Sequence, residues 1–140
     1  LGAIQMLREE WINFKKREIK RIPQIESDAS LNSIRRANDS KINWHENNID
    51  IDALVRATTD PYPGAFAYLK NKKLFIWRSS LLNNNASEIP GTIIKSGREI
   101  IVATGMGYLK ILRLNFELEP ECNAELFSLL YKIKPGMIFR

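Results

Sequence analysis

The sequence predicts a small α+β domain: an open, barrel-like sheet with one or two helices, preceded by a further helix and a linker. Three observations carry this. Hydrophobic periodicity changes from helical to alternating across Pro61-Tyr62-Pro63-Gly64. Short apolar stretches then recur, separated by Asn- and Gly-containing turns. A last short helix, over 124–132, is placed to cover one end of a barrel.

Taken in order, Ile4, Leu7, Trp11 and Phe14 stand at helical spacing, so the first helix has one face to bury. Residues 15–41 lose the period and carry Pro23, serines, asparagines and mixed charge, which reads as a linker. A second helix spans 49–59, with Ile51, Leu54, Val55 and Thr58 on one stripe and Asn47 or Asn48 as N-cap. The two prolines flanking Tyr62 stop that helix, because each fixes φ and removes a backbone donor. Strands follow near 65–69, 73–79, 91–95, 99–103 and 108–116. Asn71, Ser96-Gly97 and Gly105-Met106-Gly107 make the turns, and Asn83-Asn84-Asn85 makes a solvated tip. Asn123 caps the final helix, whose Leu126, Phe127 and Leu130 are expected to point inward. Pro135-Gly136 ends it, and Met137-Ile138-Phe139 forms a closing strand.

Composition narrows the function. The chain has 140 residues, 44% hydrophobic and 26% charged, as expected of one globular domain rather than a disordered or fibrous chain. No apolar run approaches the roughly 20 residues of a membrane span and no signal peptide opens the chain, so no membrane partner is expected. A single cysteine, Cys122, excludes an internal disulfide and suits a cytoplasmic setting. With only His45 beside it, neither a zinc site nor a Cys-His nucleophile pair is expected. No Gly-rich phosphate loop, Ser-His-Asp set or paired-carboxylate motif is present, so the chain has no self-contained active site. It opens at Leu1 inside a helix, which suggests a piece of a longer protein with its chemistry upstream.

Four groups of residues are candidates for binding. The net charge is +5, with one basic cluster at Lys15, Lys16, Arg17, Lys20 and Arg21, diluted by Glu9, Glu10 and Glu18, and another at Lys70, Lys72, Lys73 and Arg78. Such clusters serve either nucleic acid or a solvated face. Alternation puts Phe66 and Tyr68 on one sheet face and Phe75 and Trp77 on another, as core or as stacking platforms. Arg35-Arg36-Ala37-Asn38-Asp39-Ser40 offers two guanidinium groups suited to gripping phosphate, or to pairing with Asp39. Tyr62 on its elbow is held to stack on a base or sugar, or to plug the barrel mouth. Arg56 is expected to pair with Asp52 or Asp60, and His45 to be a partly exposed residue at a helix entry.

These residues together resemble the C-terminal region of folate-dependent formyltransferases. The resemblance runs in order through Gly2-Ala3 with Met6-Leu7, Pro23-Gln24, Ile42-Asn43-Trp44, Val55-Arg56-Ala57 and Pro63-Gly64-Ala65-Phe66. It continues through Leu74 to Trp77, Pro90-Gly91-Thr92 and Lys134-Pro135-Gly136. It implies a last helix of an upstream catalytic domain plus linker over 1–41, and an open, OB-like barrel domain over 42–140. The family moves a formyl group from 10-formyltetrahydrofolate to an amine, with catalytic residues in the upstream domain, so no catalytic residue is assigned here. Asn43 stands where the family usually has Asp. Arg35-Arg36-Ala37-Asn38-Asp39-Ser40 and the tyrosine elbow are similar to the nucleotide-sugar branch. The resemblance therefore implies Arg35, Arg36 and Tyr62 as substrate-binding residues. The other branch, methionyl-tRNA formyltransferases, implies tRNA as the partner instead. A barrel that only supports oligomerisation or the catalytic domain is the third expectation.

Overall fold

The computed structural model describes residues 2–17, 23, 25–30, 36–82 and 86–140. Arg35, Lys20, Arg21, Gln24 and the tip Asn83-Asn84-Asn85 lie outside the described residues. The chain divides into two compact units, Leu1–Ile34 and Arg35–Arg140.

The first unit contains α1, Gly2–Lys16, and a 3-10 turn at Glu26–Asp28. The predicted buried face of α1 is exposed: Ile4, Leu7, Trp11 and Phe14 all face solvent. Trp11 and Phe14 stack, with ring centroids 5.9 Å apart, and the Lys15 ammonium lies 5.5 Å from the Trp11 ring.

The second unit opens with a 3-10 turn, Ala37–Ser40, in part of the stretch read as linker. Helix α2 follows over Asn48–Thr58. Asn47 is its N-cap: the side chain accepts the Asp50 N–H at 2.8 Å. Asn48 has a different task. Its buried amide donates to the Leu82 and Tyr108 carbonyls, both at 3.1 Å, and ties the helix start to two strand ends.

The strands are β1 (Ala65–Leu69), β2 (Lys72–Leu82), β3 (Ile93–Lys95), β4 (Ile100–Ala103), β5 (Tyr108–Phe116) and β6 (Cys122–Asn123). They form one antiparallel sheet in the order β1-β2-β5-β4-β3, with β6 added on β5. The sheet curls into a half-barrel. The C-terminal residues lie between its two edges, where Phe139 bridges Leu69 of β1 and Ile138 bridges Thr92 beside β3. The closing strand expected at Met137-Ile138-Phe139 is thus a seam of single bridges, hydrogen-bonded to both edges.

Small residues on β1 let the sheet curl. Ala65 and Ala67 face inward opposite Ile76 and Leu74, and the core continues through Ile51 and Val55 of α2, Leu109, Ile111 and Leu114 of β5, and Phe139. Fully burying each large aliphatic or aromatic side chain contributes about 1.5–3 kcal/mol. Gly105 allows a further close approach: a Cβ there would sit 1.8 Å from the His45 carbonyl oxygen.

Helix α3, Ala124–Tyr131, is capped by Asn123, which accepts the Leu126 N–H at 2.8 Å. Its inward stripe differs from the expected one. Ala124, Phe127 and Ser128 are buried, and Phe127 packs with Phe116 and Tyr131, whereas Leu126 and Leu130 face solvent. The helix carries apolar residues on nearly every side, so periodicity did not single out one stripe. It ends at Lys132 in the left-handed region, before Pro135.

Candidate functional site

The site begins where α2 stops. Thr58 and Thr59 carbonyls receive the N–H groups of Gly64 at 2.9 Å and Tyr62 at 3.1 Å, which folds the Pro-Tyr-Pro-Gly segment into a tight elbow. Gly64 has φ +89° and sits against the Trp77 ring, so a Cβ would lie 2.9 Å from Cη2. That position needs glycine on both counts. Tyr62 is 62% exposed at the tip and does not plug the barrel.

The Arg36 loop is fixed from within. Asp39 accepts the Arg36 backbone N–H at 2.7 Å, and its own N–H returns to the Arg36 carbonyl at 3.0 Å. The carboxylate therefore holds the backbone rather than a guanidinium. The Arg36 side chain is exposed and has no ion pair among the described residues. Immediately after the turn, Lys41 bridges Phe66 in parallel fashion and the Ile42 N–H donates to the Phe66 carbonyl at 2.8 Å. The loop is thereby laid along the free edge of β1.

Loop and elbow are joined by aromatic side chains on the outer face of the sheet. Phe66 pairs in register with Phe75, and Phe75 with Asn115, while Tyr68 pairs with Lys73. Directly opposed residues share a face, and Trp77 stacks on Phe75 at 5.7 Å. The four aromatics Phe66, Tyr68, Phe75 and Trp77 thus stand on one face, not on the two faces that alternation suggested. Hairpin pairing decides this, and strand sequence alone does not contain it. The Lys73 ammonium lies 4.6 Å from the Phe66 ring and 4.9 Å from Phe75, and is paired with Glu117 at 3.3 Å. Asn115 holds the Trp77 indole at 2.5 Å.

Beside this row the seam forms two clefts. One, of about 470 Å³, is lined by Lys41, Trp44, His45, Ile138 and Arg140 among others. The second, of about 400 Å³, is lined by Tyr68, Lys70, Asn71, Ile138 and Arg140 among others. Neither is lined by an Asp or Glu side chain. Sequence reasoning missed Lys41 and Arg140, which stand outside the basic clusters and meet only through the seam.

Acid–base or nucleophilic chemistry has little to draw on. His45 is exposed, with its backbone N–H on Asn43 Oδ1 at 3.2 Å. Burial pushes the half-buried Cys122 thiol above its ordinary value, which leaves it a poor nucleophile. Among the described residues no three His, Cys, Asp or Glu side chains gather as a metal site, and no helix is long and apolar enough to cross a membrane. Arg56 pairs with Asp52 at 2.9 Å, a structural contact. The arrangement suits contact with an anionic, ring-bearing molecule.

A curled antiparallel half-barrel carrying helices and a proline elbow defines a small α+β domain class. The chain belongs to the family of the formyl transferase C-terminal domain, whose model matches residues 35–129. Solved structures of HypX from Aquifex aeolicus share the fold. A multiply substituted variant matches with TM-score 0.66 and 17% identity, covering 96% of this chain and 24% of HypX. HypX in complex with tetrahydrofolic acid matches with TM-score 0.63 and 15% identity, covering 90% of this chain and 22% of HypX. This chain therefore spans about a quarter of the length of those structures.

Proposed function

We propose that this chain is the substrate-side domain of an enzyme that formylates a nucleotide-linked amino sugar in the cytoplasm, with 10-formyltetrahydrofolate bound by an upstream catalytic domain. The complex of HypX with tetrahydrofolic acid supports folate use in proteins of this fold. The observation that carries the sugar reading is the pair of presented side chains. Arg36 projects from a turn locked by Asp39, and Tyr62 from an elbow locked by Thr58 and Thr59. A guanidinium presents a planar fork to phosphate from a fixed turn, and an exposed ring on a rigid turn walls a sugar or base. Arg35, adjacent to Arg36, is assigned the same role from sequence. Transfer itself needs an oxyanion stabiliser and a tuned base, which the upstream domain would supply.

In the full-length enzyme, Arg36→Ala should raise the KM for nucleotide sugar with kcat little changed. An unaltered KM would remove Arg36 from the substrate site. The second reading, a tRNA-gripping module, draws support from the clefts with Lys41, Lys70 and Arg140, which no Asp or Glu side chain lines. It requires tRNA binding that falls steeply with salt, because neutralised phosphates release counterions.

A further inference from the structure

We propose that the seam between β1 and the C-terminal residues is a diphosphate-binding site, with Tyr68 as the platform for the ring attached to the phosphates. Arg140 and Tyr68 exchange both backbone hydrogen bonds, at 2.7 and 2.8 Å, so they are directly opposed and their side chains share the outer face. Lys41 reaches the same place from the other side, its ammonium 5.7 Å from the Tyr68 ring. Arg140 and Ile138 line both clefts, so the two adjoin at these residues, with Lys41 and His45 lining one and Lys70 the other.

No side-chain carboxylate offsets the cationic side chains there. Elsewhere on the domain Lys73, Lys95, Lys110, Arg98 and Arg113 each face a carboxylate. Lys41, Lys70 and Arg140 have none among the described residues, as is also true of Lys72, Arg78, Lys132 and Lys134, but these three gather at clefts that no side-chain carboxylate lines. Three cations around a concave surface attract a dianion or trianion, and the guanidinium offers a planar fork to its oxygens. A half-buried tyrosine between them adds stacking for a base or sugar. The outer-face aromatics continue from Tyr68 through Phe66 and Phe75 to Trp77 under the elbow. The seam and the elbow thus lie along one row. Arg140 is presented by backbone pairing, so the site is built before the ligand arrives.

The inference rests on the nucleotide-sugar reading for the identity of its ligand. The shared chemistry is phosphate, and a nucleoside diphosphate is preferred to a polynucleotide because clefts of about 470 and 400 Å³ match one small ligand. Backbone amide shifts of the chain would be followed by NMR during titration with uridine diphosphate, pyrophosphate and bulk tRNA in about 150 mM salt. Uridine diphosphate and pyrophosphate should each perturb Lys41, Tyr68 and Arg140. Arg140→Ala and Lys41→Ala should weaken both ligands by about tenfold, while Arg98→Ala, a surface cation elsewhere, should not. Tyr68→Leu should weaken uridine diphosphate and spare pyrophosphate. No shift at these amides, or an equal loss in Arg98→Ala, would overturn the site. Binding of tRNA without uridine diphosphate would overturn the assigned ligand class. Binding at the seam together with an unchanged KM in full-length Arg36→Ala would remove only the role of Arg36, and the converse would remove only the seam.

Discussion

The Asp52 carboxylate accepts the Ser79 hydroxyl at 2.6 Å, a contact that spans 27 residues of sequence and ties α2 to β2. Two features make it possible. Asp52 is buried on α2 beside Ile51 and Val55, and its second oxygen takes the Arg56 guanidinium at 2.9 Å. On β2, register shifts flank Arg78, so the strand changes parity after Ile76 and Ser79 turns toward the helix. A buried carboxylate so paired is satisfied, and cutting one partner leaves the others stranded.

Asp52→Ala should accordingly lower stability by about 1–3 kcal/mol, whereas Arg56→Ala, whose side chain is largely exposed, should cost under about 1 kcal/mol. Urea denaturation of the two variants checks the order. A larger loss in Arg56→Ala would mean the ion pair, not the Ser79 bond, holds the helix.

Neighbouring asparagines separate capping from pinning. Asn47→Ser should be close to neutral and Asn47→Ala should cost about 1 kcal/mol, because what is at stake is the acceptor for the Asp50 N–H and an exposed amide bond to the Asp50 carboxylate. Asn48→Ala should cost more, about 1–3 kcal/mol, since a buried amide is lost and two part-buried carbonyls lose their donor. Thermal melts of the three variants give the comparison, and equal melting points for Asn47→Ala and Asn48→Ala would refute it.

Glycine substitutions should divide by what surrounds them. Gly97 has φ +105° with open space around it, so Gly97→Ala should cost only the conformational strain, about 1–2 kcal/mol. Gly91→Ala meets both a positive φ of +88° and the Phe139 carbonyl oxygen, 2.3 Å from the added Cβ. It should destabilise more and loosen the seam. Hydrogen exchange of the Phe139 and Arg140 amides would report that loosening; protection equal to that of Gly97→Ala would argue against it.

Acid stability should depend on Glu99. The Lys110 ammonium, then the Lys95 ammonium, lower its pKa from 4.5 to about 2. The folded value lies below the unfolded one, so the unfolded state binds more protons between pH 4.5 and 2 and stability rises with pH there. Glu99 therefore contributes above pH 4.5, and its contribution is lost as pH falls through about 2. Glu99→Gln should be less stable than the parent at pH 6, with the difference shrinking toward pH 2. A difference independent of pH would show that packing, not charge, is responsible.

Local signals were legible in the chain itself. The Asn caps of α2 and α3, the stop at Pro61 and the strand 65–69 follow from backbone chemistry that acts within a few residues, and the structure agrees with them. So did the family, because its motifs lie in order along the chain. Facing was not legible. In β1 both parities carry apolar residues, Ala65, Ala67 and Leu69 against Phe66 and Tyr68, so alternation could not name the inner face. The leucines of α3 posed the same ambiguity, and burial chose Phe127 over Leu126 and Leu130.

What the sequence alone determined, then, is where the helices are capped, roughly where most strands lie, and the kind of domain they build. Caps, prolines and turn residues act over one or two turns of chain. The tertiary structure alone decided which side chains meet: Asp52 with Ser79, the four aromatics on one face, and Lys41 with Tyr68 and Arg140 across the seam. Those pairings depend on sheet curl, a bulge at Arg78 and the return of the chain end between two edges. Such long-range geometry is set by packing the whole core, and no local stretch of residues encodes it.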